Sequence, residues 1–238
     1  MLLMVGIAAN AQSGSIGLTA RLGYNIGAYA PLGIPATITS IDAFHLTPSP
    51  QVGVDIAIPL SDQWGVASGL RFENKAMDVA ITAKGYHMLM SRGGEGLEGL
   101  FTGHVVQHST GWMLSLPVYA TFDPCPKLRL KAGPFASLLV KKEFSGIASD
   151  GYIREGGATG PKITIGSTSD TWATYDFSAD MRGFQWGVAI GADWQVLPKI
   201  GIYLDMSMGL RGIFPADFTA VEQTLYPIYG TLGVFYRL

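Results

Sequence analysis

The chain has 238 residues, 31 of them glycine, with 14% charged side chains, a net charge of −2 and a mean hydropathy of +0.27. Such a chain is too apolar and too poor in charge for disorder, and its charge offers no footing for nucleic acid. It has no continuous apolar run of the roughly 18 to 20 residues that a transmembrane helix needs; apolar on average but never continuously so is the composition of a membrane β-barrel.

The N-terminus, "MLLMVGIAANAQ", joins a short apolar stretch to the small-x-small step Ala9-Asn10-Ala11. That pattern predicts an export signal over residues 1–11 and a single mature domain over 12–238. Period-two alternation then recurs in eight segments. The first, "SIGLTARLGYNIGAY", sets Ile16, Leu18, Leu22, Tyr24 and Ile26 against Arg21 and Asn25. "QVGVDIAIPL" sets Val52, Val54, Ile56 and Ile58 against Asp55, and "WGVASGLRFENK" sets Trp64, Val66, Leu70 and Phe72 against Arg71, Glu73 and Lys75. In "GWMLSLPVYATF" one face carries Trp112, Leu114, Leu116, Val118 and Phe122. After "DPCP", a turn by composition, "KLRLKAGPFASLLV" opposes Leu128, Leu130 and Leu138 to Arg129 and Lys131. "FQWGVAIGADWQV" carries Trp186, Val188, Ile190 and Trp194 against Asp193; "KIGIYLDMSMGLRGIF" carries Ile202, Leu204 and Met206 against Asp205 and Arg211; "YPIYGTLGVFYRL" carries Leu232, Val234 and Tyr236 against Arg237.

The face opposite the bulky one is small, glycine-rich and charged in both signs, where a soluble sandwich would show long Lys and Glu side chains. It suits the narrow interior of a small barrel whose outer face meets lipid. The expected interior charges are Arg21, Asp55, Arg71, Glu73, Lys75, Arg129, Lys131, Asp193, Asp205, Arg211 and Arg237, seven basic and four acidic. They are expected to form a structural plug of ion pairs, with an anion or ordered water balancing the excess. Trp64, Trp112, Trp186, Trp194 and Tyr236 fall at segment ends on the apolar face. Trp186 and Trp194, eight residues apart, would stand roughly 20 Å apart along the membrane normal, the spacing of two aromatic girdles. Pro117 has no edge strand to occupy in a closed barrel, so a bulge or widened ladder step is expected there. The connections alternate in length: 61–63, 123–126 and 197–198 are tight, whereas 31–48, 76–111, 145–183 and 215–224 are long. Short periplasmic turns and long outer loops give an all-β, eight-stranded antiparallel up-and-down barrel with both ends in the periplasm.

The stretch "LSLPVYATFDPCPKLRLKAGPFASLLV", with Leu114, Leu116, Pro117, Gly133, Pro134 and Phe135, resembles the PorT-like outer-membrane β-barrel proteins of Bacteroidetes. So does the later "FQWGVAIGADWQVLPKIGIYLDMSMGLRGIF". The resemblance spans about residues 12–238; it implies an outer-membrane barrel and, for some members, an accessory role in a secretion machine. Two features depart from the pattern: the terminal Leu238 where such barrels usually end in an aromatic residue, and the length of loops 76–110 and 145–182.

Motifs for chemistry are sparse. "GEGLEG" (Gly94 to Gly99) matches a nucleotide fingerprint but lacks the strand–helix setting, and reads as a flexible loop. His45, His87, His104 and His108 all fall in expected outer loops; the i, i+4 pair His104 and His108 has no third ligand nearby, so no metal site is expected. Asp78, Asp150 and Asp170 are available to a histidine, with nothing in the sequence to bring them together. Cys125 is a lone turn thiol. Met88, Leu89, Met90, Leu97, Leu100 and Phe101, unusual in a solvated loop, should pack over the barrel mouth or meet a partner, packing being favoured. The leading expectation is a non-enzymatic, monomeric outer-membrane protein without a cofactor. It would contact lipid and lipopolysaccharide, and act in adhesion, surface assembly or secretion through loops 76–110 and 145–182. A barrel enzyme with a loop-borne site, a small pore and a soluble secreted barrel are the alternatives.

Overall fold

The computed structural model describes residues 16–33 and 35–238; the expected signal segment 1–11 lies outside them. The elements are all strands: β1 (Gly17–Ala30), β2 (Ile38–His45), β3 (Pro50–Pro59), β4 (Trp64–Arg92), β5 (Glu95–Cys125), β6 (Leu128–Glu155), β7 (Lys162–Ile165), β8 (Ala173–Asp176), β9 (Phe184–Gln195), β10 (Ile200–Gly209) and β11 (Tyr226–Arg237). Eight of them close a ring in the order β1-β3-β4-β5-β6-β9-β10-β11, with β11 returning to β1. Every pairing is antiparallel. Closure leaves no edge within the ring, which is what a sheet needs inside a bilayer where water cannot satisfy its backbone.

Side chains alternate across the wall of the ring. Leu22, Val54, Leu70, Leu116, Leu130, Ile190, Leu204 and Leu232 stand exposed on the outer wall, while Arg21, Asp55, Arg71, Lys131, Asp193 and Asp205 are buried inside. The three ring turns at 60–63, 126–127 and 196–199 share one end with the start of β1 and the end of β11, because Thr19 of β1 pairs with Arg237 of β11.

The other end departs from expectation. The stretches 76–111 and 145–155 are not loops; they continue β4, β5 and β6 as strand. The β4–β5 ladder runs from Trp64↔Phe122 to Arg92↔Glu95, so beyond Asn74↔Trp112 it rises for roughly 60 Å along the strand. The two residues at its tip, Gly93 and Gly94, have φ of 59° and 88°, the pair of positive values that a two-residue type I′ hairpin requires. "GEGLEG" is therefore the hairpin turn and the start of β5, not a flexible loop. Gly, Ser and Thr, which read as loop composition, here occupy a sheet whose backbone is satisfied by its own ladder. Strand β2 pairs with β4 through Ile38↔Ala83 to His45↔Asp78, and β7 and β8 add to β6.

Pro117 makes no bulge. Ser68↔Val118 and Arg71↔Ser115 keep one register across it, with the two intervening pairs unbridged. Ser68 Oγ donates to the Pro117 carbonyl at 2.9 Å. The irregularity in this stretch falls instead at Trp112/Met113, opposite Lys141 and Leu139, where Val140 is the extra residue.

Candidate functional site

Two interiors are stacked in this barrel, a charged one in the ring and an apolar one above it. In the ring, Lys131 Nζ lies 2.9 Å from Asp193 Oδ1 and 2.8 Å from Asp205 Oδ1. Arg21 closes on Asp55 and Asp193, its Nη1 donating to Asp193 Oδ1 at 3.0 Å. Arg71 reaches Asp205 at 3.0 Å and Asp55 at 3.4 Å. A second cluster surrounds Glu73, which accepts from Asn25 at 3.1 Å, Gln51 at 3.0 Å and Ser115 at 2.5 Å, with Lys75 Nζ 3.8 Å away. Arg21, Arg71, Lys75 and Lys131 thus meet Asp55, Glu73, Asp193 and Asp205, four charges against four.

The expected excess of base does not sit in this plug. Arg129 lies at the mouth beside the short ring turns on Asp123, at 2.8 and 2.7 Å, a partner the turn reading of "DPCP" concealed. Arg237 is at the same mouth, donating to Gln195 at 2.5 Å. Arg211 lies beyond the end of β10 and is exposed. No anion is needed to balance the interior.

Sequence reasoning missed the neutral half of the plug. Tyr203 donates to Gln51 at 2.9 Å, and Arg21 lies over its ring at 4.8 Å; Lys131 stands 5.5 Å over Tyr119. Their signal was the alternation itself, since each shares the inward parity of the charges. The plug fits because β9 is bare at Gly191, where a Cβ would collide with Asp205 and Lys131. Two lumen spaces of about 20 Å³ each remain, room for a single water apiece.

Above the plug lies an apolar core. Met88, Met90, Leu97 and Phe101 are buried with Val105, Phe144, Tyr175, Phe177 and Phe214. Leu89 remains exposed. Phe144 meets Phe214 edge-on at 5.0 Å, and Phe214 stacks on Phe218 at 4.3 Å. The segment 213–225 crosses the top: Ile213 N–H donates to Leu225 O at 2.9 Å and Leu89 N–H to Ala220 O at 3.2 Å.

On the outer face of the tall hairpin, the register sets Asp78 opposite His108. His108 Nδ1 is bonded to Asp78, and its Nε2 lies 3.3 Å from Thr110 Oγ1. His104 lies 3.4 Å from Asp42, whose carboxyl is held below the usual carboxylate range by the hydroxyls of Ser40 and Thr82. The Asp78–His108–Thr110 order is that of an acyl-transfer relay, but Thr110 is only 9% exposed and the chain around it is committed to the ladders Asp78↔His108 and His108↔Ser145. Among the described residues no three acidic, His or Cys side chains gather as for a metal, and Cys125 is an exposed free thiol.

Four of the five aromatics expected at the membrane boundaries, Trp64, Trp186, Trp194 and Tyr236, stand exposed on the outer wall. The fifth, Trp112, is half-buried and stacks on Phe72 at 5.1 Å. Trp64, Trp194 and Tyr236 lie at the short-turn ends of their strands, Trp186 at the opposite end of β9.

No curated protein matches the sequence. Among solved structures, the chain is similar to Ail, the attachment invasion locus protein of Yersinia pestis, solved in complex with the heparin analogue sucrose octasulfate (9% identity, TM-score 0.40, covering 94% of this chain and 97% of that one). It is similar also to the NanC porin (12% identity, TM-score 0.30, covering 93% and 100%). The family described as outer membrane protein beta-barrel domain matches residues 10–215. With most of its length matched to that family and its strands closed into a ring of eight, the chain belongs to the outer-membrane β-barrel domain proteins and resides in the bacterial outer membrane.

Proposed function

We propose that the protein is a non-enzymatic, monomeric display barrel, whose lipid-facing belt and aromatic girdles hold a rigid extracellular platform against a partner. The belt contacts membrane lipid and the inner part of lipopolysaccharide. The observation that carries this reading is the tall β4–β5–β6 wall with its own apolar core. A solvated loop would order on binding at an entropic cost; a paired, packed wall has already been ordered by folding. Adhesion, surface assembly and accessory service to a secretion machine all use such a platform. The resemblance to the PorT-like proteins of Bacteroidetes favours the last.

The test compares intact cells carrying the wild-type chain with cells carrying a Leu89→Ser/Val106→Ser variant, which changes two exposed outward residues of the platform. Folding is checked by gel mobility, boiled against unboiled. Loss of surface cross-linking and of the associated adhesion or secretion, with the heat shift intact, is the expected result. Full retention in that variant and in one shortened at the hairpin tip would refute it.

A second reading, a barrel enzyme, rests on Asp78, His108 and Thr110. It requires that His108→Ala abolish hydrolysis of an ester substrate presented at the outer leaflet.

A further inference from the structure

The ring is complete in the membrane but its wall is open above it on one side. Strand β3 pairs with β1 only as far as Tyr24↔Pro50. Beyond that point β1 continues to Ala30 with its β3-side edge free, apart from Asn25, whose N–H donates to Ser49 O at 2.8 Å. On the far side of this break β2 pairs with β4 alone. Among the described residues, no ladder joins the edge of β1 at 26–30 to the edge of β2 at 38–45.

Behind this break is a cavity of about 270 Å³. It is well above the roughly 150 Å³ in which a dry apolar cavity accepts benzene, and close to the lower bound of ordinary ligand pockets. Its walls carry Met77, Ile81, Met88, Val105, Phe144 and Tyr175, and its mouth Ala28, Ala30, Ile41 and Phe44. Among the described residues no charged side chain lines it, and the side-chain amides on its wall are Gln107 and Gln223. The floor is sealed from the charged plug by Tyr29 against Tyr229, 5.7 Å between ring centroids. The roof is the 220–225 segment, held by the bridge Met88↔Val221. The cavity therefore opens sideways, where Ile41 and Phe44 are 56% and 44% exposed.

From these features we propose that the cavity is a binding site for a single hydrocarbon chain of a membrane lipid, entering through the break between β1 and β2. The source follows from continuity. The outward face of β1 runs Leu18, Leu22, Tyr24 and Ile26 along the lipid-facing belt and arrives at Ala28 and Ala30, which form the near lip of the mouth. Both are alanines, too small to close the passage. A chain leaving the outer leaflet moves along apolar surface throughout and meets no ion; a polar solute would forfeit its hydrogen bonds among these walls. The proposal goes beyond the display function and depends only on the membrane placement of the ring.

The test uses the full chain in lipid nanodiscs containing a phosphatidylethanolamine with a diazirine at mid-acyl position. In a parallel arm, nanodiscs without that lipid receive free diazirine-stearic acid. After photolysis, cross-links are mapped by mass spectrometry, with belt residues such as Leu114 and Ile190 as internal standard. Cross-links from the phospholipid at Met77, Ile81 and Met88 are expected. They should fall at least fivefold in Ala30→Trp, which blocks the lip, while belt labelling is unchanged. Label confined to the belt overturns the site. Cavity label from the free acid alone overturns entry from the membrane, and label unaltered by Ala30→Trp overturns the route. Should Ala30→Trp lose its heat-dependent mobility shift, Val79→Trp, which fills the mouth from β4, takes its place under the same criteria.

Discussion

Lys131 is the hinge of the lumen plug, and replacing it by methionine tests the plug directly. Its side chain is 2% exposed and its Nζ lies between Asp193 and Asp205, at 2.9 and 2.8 Å. At an effective dielectric constant near 20, each contact contributes about 6 kcal/mol of gross Coulomb attraction. Desolvation of the ammonium offsets several kcal/mol of that, and Asp193 and Asp205 retain Arg21 and Arg71. Methionine keeps the stem and removes the charge, leaving three bases against four acids in a closed interior. The expected loss is about 3–5 kcal/mol, the range for breaking a buried pair from one side. Adding Asp205→Asn restores the balance, so the double variant should be more stable than the sum of its singles by about 1–3 kcal/mol. The assay is denaturant unfolding of the purified barrel in detergent micelles, read as midpoint and slope. A Lys131→Met barrel within about 1 kcal/mol of wild type, together with strictly additive singles, would refute the ion-balanced plug.

Three further outcomes follow from the same geometry. Gly191→Ala places a methyl against Asp205 and Lys131; it should lower stability by about 1–3 kcal/mol, seen as a lower unfolding midpoint, and an unchanged midpoint would mean that the plug is loose. In planar bilayers the wild-type chain should give no steady conductance, because the lumen spaces are about 20 Å³ each; a stable open step would restore the pore reading. Asp42 is held in its charged form by Ser40 and Thr82. Its contribution to stability is therefore present above the unfolded carboxylate pKa of about 3.9 and is lost as pH falls through the lowered folded value. The melting difference between wild type and Asp42→Asn should accordingly open above about pH 4 and close on acidification; a difference that grows toward acid would contradict the sign.

Much of the site was legible where one residue's parity decided its surroundings. Arg21, Asp55, Arg71, Lys131, Asp193 and Asp205 could be assigned to the interior because each stands opposite an apolar run, and the structure buries all six. Their partners were not legible: Arg21 and Asp193 are 172 positions apart and meet only across the closed ring. Arg129 and Arg211 show the limit of parity, which tells inside from outside but not how far along the strand the interior extends. The histidine–aspartate contact between His108 and Asp78 likewise needed the β4–β5 register, which sets which residues face each other.

Alternation along a single strand is local, so the eight lipid-facing segments, the membrane location and the short turns at one end were determined by the sequence itself. Composition misled in the tall wall, since glycine, serine and threonine serve a sheet beyond the membrane as readily as a loop, and only pairing distinguishes the two. The wall's core, the four-to-four charge balance and the break between β1 and β2 were decided by the tertiary structure. Each depends on which distant strand lies alongside, and ring closure with its register is a property of the whole sheet that no single segment encodes.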